Sequence, residues 1–170
     1  MSVAYYAFAM VDLKGDTVFE EWLASEGLTI PVYPEEAHFP SYTEVLALVT
    51  GIDGYTVPDA PETEANNNYR LAVLNEASNT EISLEVCGSI IEKNSAERSH
   101  RGRQPGGPRE FCFERSDYDM TIPIVRGLAE VCGPLLLCND FGTCAVVEAG
   151  QSGEECKFIG RSGQKQPTED

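Results

Sequence analysis

The chain has 170 residues, of which 42% are hydrophobic and 24% charged, the size of one ordinary domain with enough apolar content for a single core. This composition excludes a fully disordered chain in spite of a formal net charge of -16. A charge of that size repels nucleic acid and anionic membrane and attracts a basic partner, so the sequence points to protein binding, with no direct nucleic-acid or membrane contact.

Residues 3 to 11 alternate and are apolar enough for a strand buried on both faces. No basic residue precedes them and Asp12, Lys14 and Asp16 follow at once. With no run near the ~18 apolar residues of a membrane span, this reads as neither signal peptide nor anchor, and the expected compartment is the cytoplasm. Asp16 is placed to cap a short helix through Phe19, Trp22 and Leu23, with Gly27 as its stop and Glu20, Glu21 and Glu26 facing solvent. Leu28 to Tyr33 reads as a second strand, limited by Pro31 to an edge or an irregular one. Past the Pro34 to Pro40 loop, Ser41-Tyr42-Thr43-Glu44 has the spacing of a capping box and opens a helix through Val45, Leu46, Leu48 and Val49, closed by Gly51.

Gly54 to Asn68 is rich in Pro, Asn and acid and reads as a surface loop. Tyr69 to Leu74 and Glu81 to Ile91 then form two antiparallel strands about a turn at Asn75 to Thr80. Regular alternation puts Ile82, Leu84, Val86 and Gly88 on one face and Glu81, Ser83, Glu85 and Cys87 on the other, which is expected to be wet. Asn94 to Pro108 has the markers of a mobile loop, followed by a strand over Glu110 to Glu114. The next helix runs through Ile122, Val125, Leu128 and Val131, with Asp119 as cap, Pro123 in its first turn and Gly133 at its close. A hairpin ends the ordered part: Pro134 to Cys138, a turn over Asn139 to Gly142, and Thr143 to Val147.

The order is β-α-β-α-β-β-β-α-β-β, an α+β class with a mostly antiparallel sheet and about three helices on one face. Residues 1–150 form one domain and 151–170 a flexible polar tail. The six cysteines are Cys87, Cys112, Cys132, Cys138, Cys144 and Cys156, and five of them stand among apolar neighbours, so buried free thiols are expected. No Cys-x-x-Cys pair and no matching His argue for a structural metal. Gly102, Gly106 and Gly107 fit neither phosphate-binding pattern, which leaves no cofactor.

Chemistry is equally sparse. His38 follows Glu35 and Glu36, but neighbours on an extended segment point apart, and His38 reads as a solvated loop residue. His100 stands among arginines that disfavour its charged form. Asp117 and Asp119 serve a helix N-terminus better than a Mg²⁺ site. Cys112, between two phenylalanines, is a poor nucleophile. No catalytic residue is assigned, and the chain is read as a binder rather than an enzyme.

The binding residues follow from the charge map. Lys14 is the sole base before Arg70, and Glu35, Glu36, Asp53, Asp59, Glu62 and Glu64 lie in loops around the helix capped by Ser41. Lys93, Arg98, Arg101, Arg103, Arg109 and Arg115 reverse the sign in one short segment, and Arg98, Arg101 and Arg103, with Arg109 beside them, form a possible second contact loop.

The helix-then-hairpin ending, Ile122 to Val147, with Pro123 early, Gly133-Pro134 at the close and the Asn139-Asp140-Phe141-Gly142 turn, resembles that of immunity proteins encoded beside polymorphic or contact-delivered bacterial toxins. The resemblance covers architecture and composition and carries over no functional residue. It implies a tight inhibitor of a cognate toxin domain that occludes a basic active-site cleft. Two other classes fit the same composition: a nucleic-acid mimic inhibiting a DNA-binding enzyme, and a small enzyme whose site assembles only on folding.

Overall fold

The computed structural model describes residues 3–29, 31–60, 67–92, 94, 96 and 106–151. The chain forms β1 (Val3–Ala9), a 3-10 turn (Met10–Leu13), α1 (Thr17–Ser25), α2 (Tyr42–Thr50), β2 (Tyr55–Thr56), β3 (Asn68–Asn75), β4 (Thr80–Cys87), β5 (Glu110–Ser116), α3 (Tyr118–Cys132), β6 (Leu135–Asn139) and β7 (Cys144–Val147). The strands make one sheet in the order β2-β3-β4-β5-β1-β6-β7, with every neighbouring pair antiparallel. This is the α+β class expected from the mixed helix and strand patterning.

The N-terminal strand sits inside the sheet, with β5 on one side and β6 on the other. Because both flanking strands are antiparallel to β1, they run parallel to each other, and α3 makes the crossover between them. Residues on one sheet face are Tyr5, Ala7 and Ala9 of β1, Leu71 and Val73 of β3, Ile82, Leu84 and Val86 of β4, and Phe111 and Phe113 of β5. They pack against Tyr42, Val45 and Val49 of α2 and against Met120, Val125, Leu128 and Ala129 of α3. The two helices approach closely where Gly127 lies against Leu48, since a Cβ at Gly127 would come within 2.9 Å of that side chain.

Two of the three helices therefore share a face, and α1 takes the other. Its Leu23 packs with Met10, Leu136 and Cys144 in a second, smaller cluster, joined by half-buried Phe8, Phe19, Leu28 and Tyr33. Among the described residues of the expected strand over Leu28 to Tyr33, none is in a strand. Leu28 and Tyr33 bury against α1 as irregular chain, and Pro31 denies the segment a ladder donor. The strand it would have been is replaced in the order by β2, two residues inside what reads as an acidic loop.

Three further expectations change. The α3 cap is Asp117, whose side chain accepts from the Met120 amide, two residues before the expected Asp119; Pro123 accordingly falls inside the helix rather than in its first turn. The β4 face carrying Glu85 and Cys87 is dry at that end, with Glu85 3% exposed and accepting from Arg70 at 3.2 Å across to β3. Cys138 and Cys144 face each other across the β6–β7 hairpin and form a disulfide, which corrects the expectation of free thiols throughout. Cys87, Cys112 and Cys132 form no disulfide and are buried, as expected. Cys156 and the tail from 152 onward lie outside the described residues.

Burial pushes the Cys132 thiol up to about 12, so it stays protonated and inert at neutral pH. Peptide mapping after thiol labelling should leave Cys87, Cys112 and Cys132 unlabelled in the native chain and label them once it is denatured. Cys138 and Cys144 should require a reductant as well. Labelling of Cys138 or Cys144 in denatured, unreduced protein would contradict the bonded hairpin.

Candidate functional site

Of the acidic residues singled out in the sequence, the four that are described fall at separate places along the chain's loops. Glu35 and Glu36 are exposed in the turn before Ala37, and Asp53 is exposed just past the end of α2. A nine-residue α2 separates these two groups by roughly 13 Å or more. Asp59 is exposed beyond β2, while Glu62 and Glu64, like Arg98, Arg101 and Arg103, lie outside the described residues.

What the fold adds is α3, which contributes carboxylates at both ends of the layer. The backbone amide of His38 donates to the Val131 carbonyl at 3.1 Å, so the last turn of α3, with exposed Glu130, lies beside the Glu35–Glu36 loop. At the other end the Tyr55 hydroxyl donates to the Met120 carbonyl at 2.9 Å, which brings β2 and the Asp53 turn to the start of α3. Burial first, and then the charges of Asp117 and Asp119, raise the Tyr55 phenol above its ordinary value of 10.0. The helix layer thus has two acidic poles, one of Glu35, Glu36 and Glu130, the other of Asp53, Asp117 and Asp119. Among the described residues no ion pair neutralises any of them.

Helix energetics does not ask for this arrangement at every point. Asp117 and Asp119 favour a helix start, but Glu130 stands in the last turn of α3, where the macrodipole disfavours a carboxylate. None of the three α-helices carries a base in its last turn.

Between the first pole and the sheet is a cleft of about 330 Å³, lined by His38, Phe39, Ser41, Glu44, Asn67, Tyr69, Gly88 and Arg109. Its walls come from two local devices. The capping box of α2 is complete: the Glu44 amide donates to Ser41 Oγ at 3.2 Å, and the Ser41 amide donates to Glu44 Oε1 at 3.1 Å. On the opposite wall Arg109 is clamped by Asp12. Its amide and Nε both donate to Oδ2 at 2.9 Å, and Nη2 donates to Oδ1 at 2.8 Å. The guanidinium lies 4.8 Å over the Phe39 ring, which stacks in turn on Phe111 of β5 with centroids 4.9 Å apart. Arg109 is therefore a structural residue, not a member of the basic contact loop in which its sequence neighbours place it. Gly88 leaves room for the pile, since a Cβ there would meet the Asn67 carbonyl at 2.7 Å and Phe39 at 3.1 Å.

His38 has a different partner from the one its neighbours suggest. Nε2 lies 3.0 Å from the Glu44 carboxylate and Nδ1 3.1 Å from the Glu36 carbonyl. With an acceptor at each ring nitrogen the doubly protonated form is favoured. The Glu36 carbonyl first, then Glu44, raise the His38 pKa, while Ser41 and His38 lower that of Glu44. A ring engaged at both nitrogens is a poor general base, and Ser41 is committed to the cap. Among the described residues no group of three or more His, Cys, Asp or Glu is placed to hold a metal ion. The arrangement can bind and orient; it has no nucleophile paired with a base.

No family model, curated protein or solved structure matches this chain.

The sign of the pair's pH dependence follows from the two shifts. The raised His38 contributes fully below its unfolded value near 6.5 and loses that contribution as pH rises through its folded value; the lowered Glu44 contributes above 4.5 and loses it as pH falls through its folded value. In an NMR titration His38 should show a midpoint above 6.5 that drops back toward 6.5 in Glu44→Gln. A midpoint unaffected by that substitution would remove the pair.

Proposed function

We propose that this chain is a non-catalytic protein inhibitor of the immunity type, which neutralises a cognate toxin domain by laying its acidic helix layer over that domain's basic active-site cleft. The observation that carries the reading is the set of exposed carboxylates at the two poles of the α2–α3 layer, kept even where the helix dipole opposes one of them, at Glu130. A surface of one sign raises the encounter rate with an oppositely charged cleft and rejects wrong partners. A net charge of -16 supports the same choice of partner.

Cytoplasmic residence goes with this reading. Cys87, Cys112 and Cys132 are reduced and buried, and no helix of the described residues is long and apolar enough to cross a membrane. The Cys138–Cys144 bond speaks against it, because disulfides are rare in most reducing compartments.

The test begins with capture of the partner from the native host and continues with binding kinetics at several salt concentrations. Changing Glu35, Glu36, Asp53 and Asp59 to their amides should lower the association rate constant about tenfold at low salt and change dissociation far less. Stability should move by no more than ~0.5 kcal/mol. Changing Arg98, Arg101 and Arg103 to Gln should have little effect. If the arginine variant loses binding while the amide variant binds as the parent does, the basic loop is the contact surface and the acidic layer is not.

A further inference from the structure

On the opposite face of the sheet, α1 leaves large apolar side chains in water. Val18 is 76% exposed and Trp22 37%, and at i and i+4 they lie side by side on the outer surface of the helix. Val32 is 86% exposed as well, next in the chain to Tyr33, which packs into the α1 cluster with the Lys14 ammonium 5.9 Å from its ring centroid. Trp22 is not loose. Its ring stacks on Phe19 with centroids 6.1 Å apart, and Phe19 is anchored in the cluster around Leu23. A preorganised tryptophan with an aliphatic neighbour is the residue combination on which binding energy concentrates at protein interfaces.

The rim identifies the occupant. Asp16, Glu20 and Glu21 belong to α1 and its N-cap, and Lys14 is the one base in the chain before Arg70. A second copy would set these carboxylates against an identical rim on a molecule that also carries -16, and an anionic membrane would be repelled in the same way. A basic amphipathic helix satisfies both parts of the surface, its apolar stripe on Val18 and Trp22 and its Lys or Arg on the rim.

We propose that the outer face of α1 is a docking site for a basic amphipathic helix of a protein partner. It goes beyond the reading of the α2–α3 layer, from which it is separated by the sheet, and each can fail without the other.

Trp22 is the single tryptophan of the chain, so its emission reports on the site directly. The probe is a synthetic peptide of Leu and Lys patterned as an amphipathic helix, with a scrambled peptide of the same composition as control. Titration with the amphipathic peptide should give a saturable blue shift that the scrambled peptide does not give. Val18→Asp, at a position where the side chain stands in water, should raise the dissociation constant about tenfold or more. The Glu35, Glu36, Asp53 and Asp59 amide variant should still show the shift. An absent shift, an equal shift with the scrambled peptide, or a Val18→Asp variant that titrates as the parent does overturns the proposal. A concentration-dependent dimer abolished by Val18→Asp in sedimentation also overturns it and gives the face to a second copy.

Discussion

The clamp between Asp12 and Arg109 is the interaction on which the rest of this structure depends. Asp12 lies in the turn after β1 and Arg109 immediately precedes β5, so their three hydrogen bonds fasten β1 to its neighbour where β1 ends and β5 begins. The Ala9 amide donates to the Arg109 carbonyl at 2.9 Å and extends the same junction. With side chains 10% and 23% exposed, the pair is largely withdrawn from solvent, where loss of one partner leaves a costly unmatched charge. The guanidinium then carries Phe39, which carries the loop leading into α2. One ion pair thus sets the strand junction, the loop over it and the wall of the cleft.

This separates two uses of charge in the chain. Asp12, Glu44 and Glu85 are held by Arg109, His38 and Arg70 and serve the fold. Asp117 also serves the fold as the α3 cap, whereas Glu35, Glu36, Asp53, Asp119 and Glu130 stand at the ends of the helix layer, and Glu21 beside Trp22 on α1, all in water. The first group can be altered only at the expense of structure. The second is available to a partner, and it lies on both sides of a sheet whose two faces are each partly covered by helix.

Local signals in the sequence were legible because their physics is local. Asp16 accepts from the Phe19 amide and Ser41 forms its box with Glu44, both within three residues, and both helices start where that spacing predicts. The β6–β7 hairpin was legible for the same reason. The misread parts depend on distant residues. Arg109 looks like part of a basic loop until Asp12, 97 residues away, is brought to it. Leu28 to Tyr33 reads as a strand until α1 offers Leu28 and Tyr33 a place without one, whereas His38 is exposed in its loop as read and only its partner, Glu44 of α2, is new. The Asp117 and Asp119 carboxylates were read as helix caps, which Asp117 is; that they share a pole with Asp53 needed the antiparallel packing of α2 on α3. For Cys138 and Cys144 the turn is legible in the sequence, but that the sulfurs meet depends on the pairing register of β6 and β7.

The most direct measurement is a double-mutant cycle on the clamp, with Asp12→Asn, Arg109→Met and the double variant compared by equilibrium unfolding in denaturant. The account predicts that each single change is strongly destabilising and that the pair is coupled by about 2 kcal/mol or more, the upper part of the range for residues in one network. Additive single effects, with coupling near zero, would mean that the junction of β1 and β5 holds without the ion pair and would contradict the account at its base.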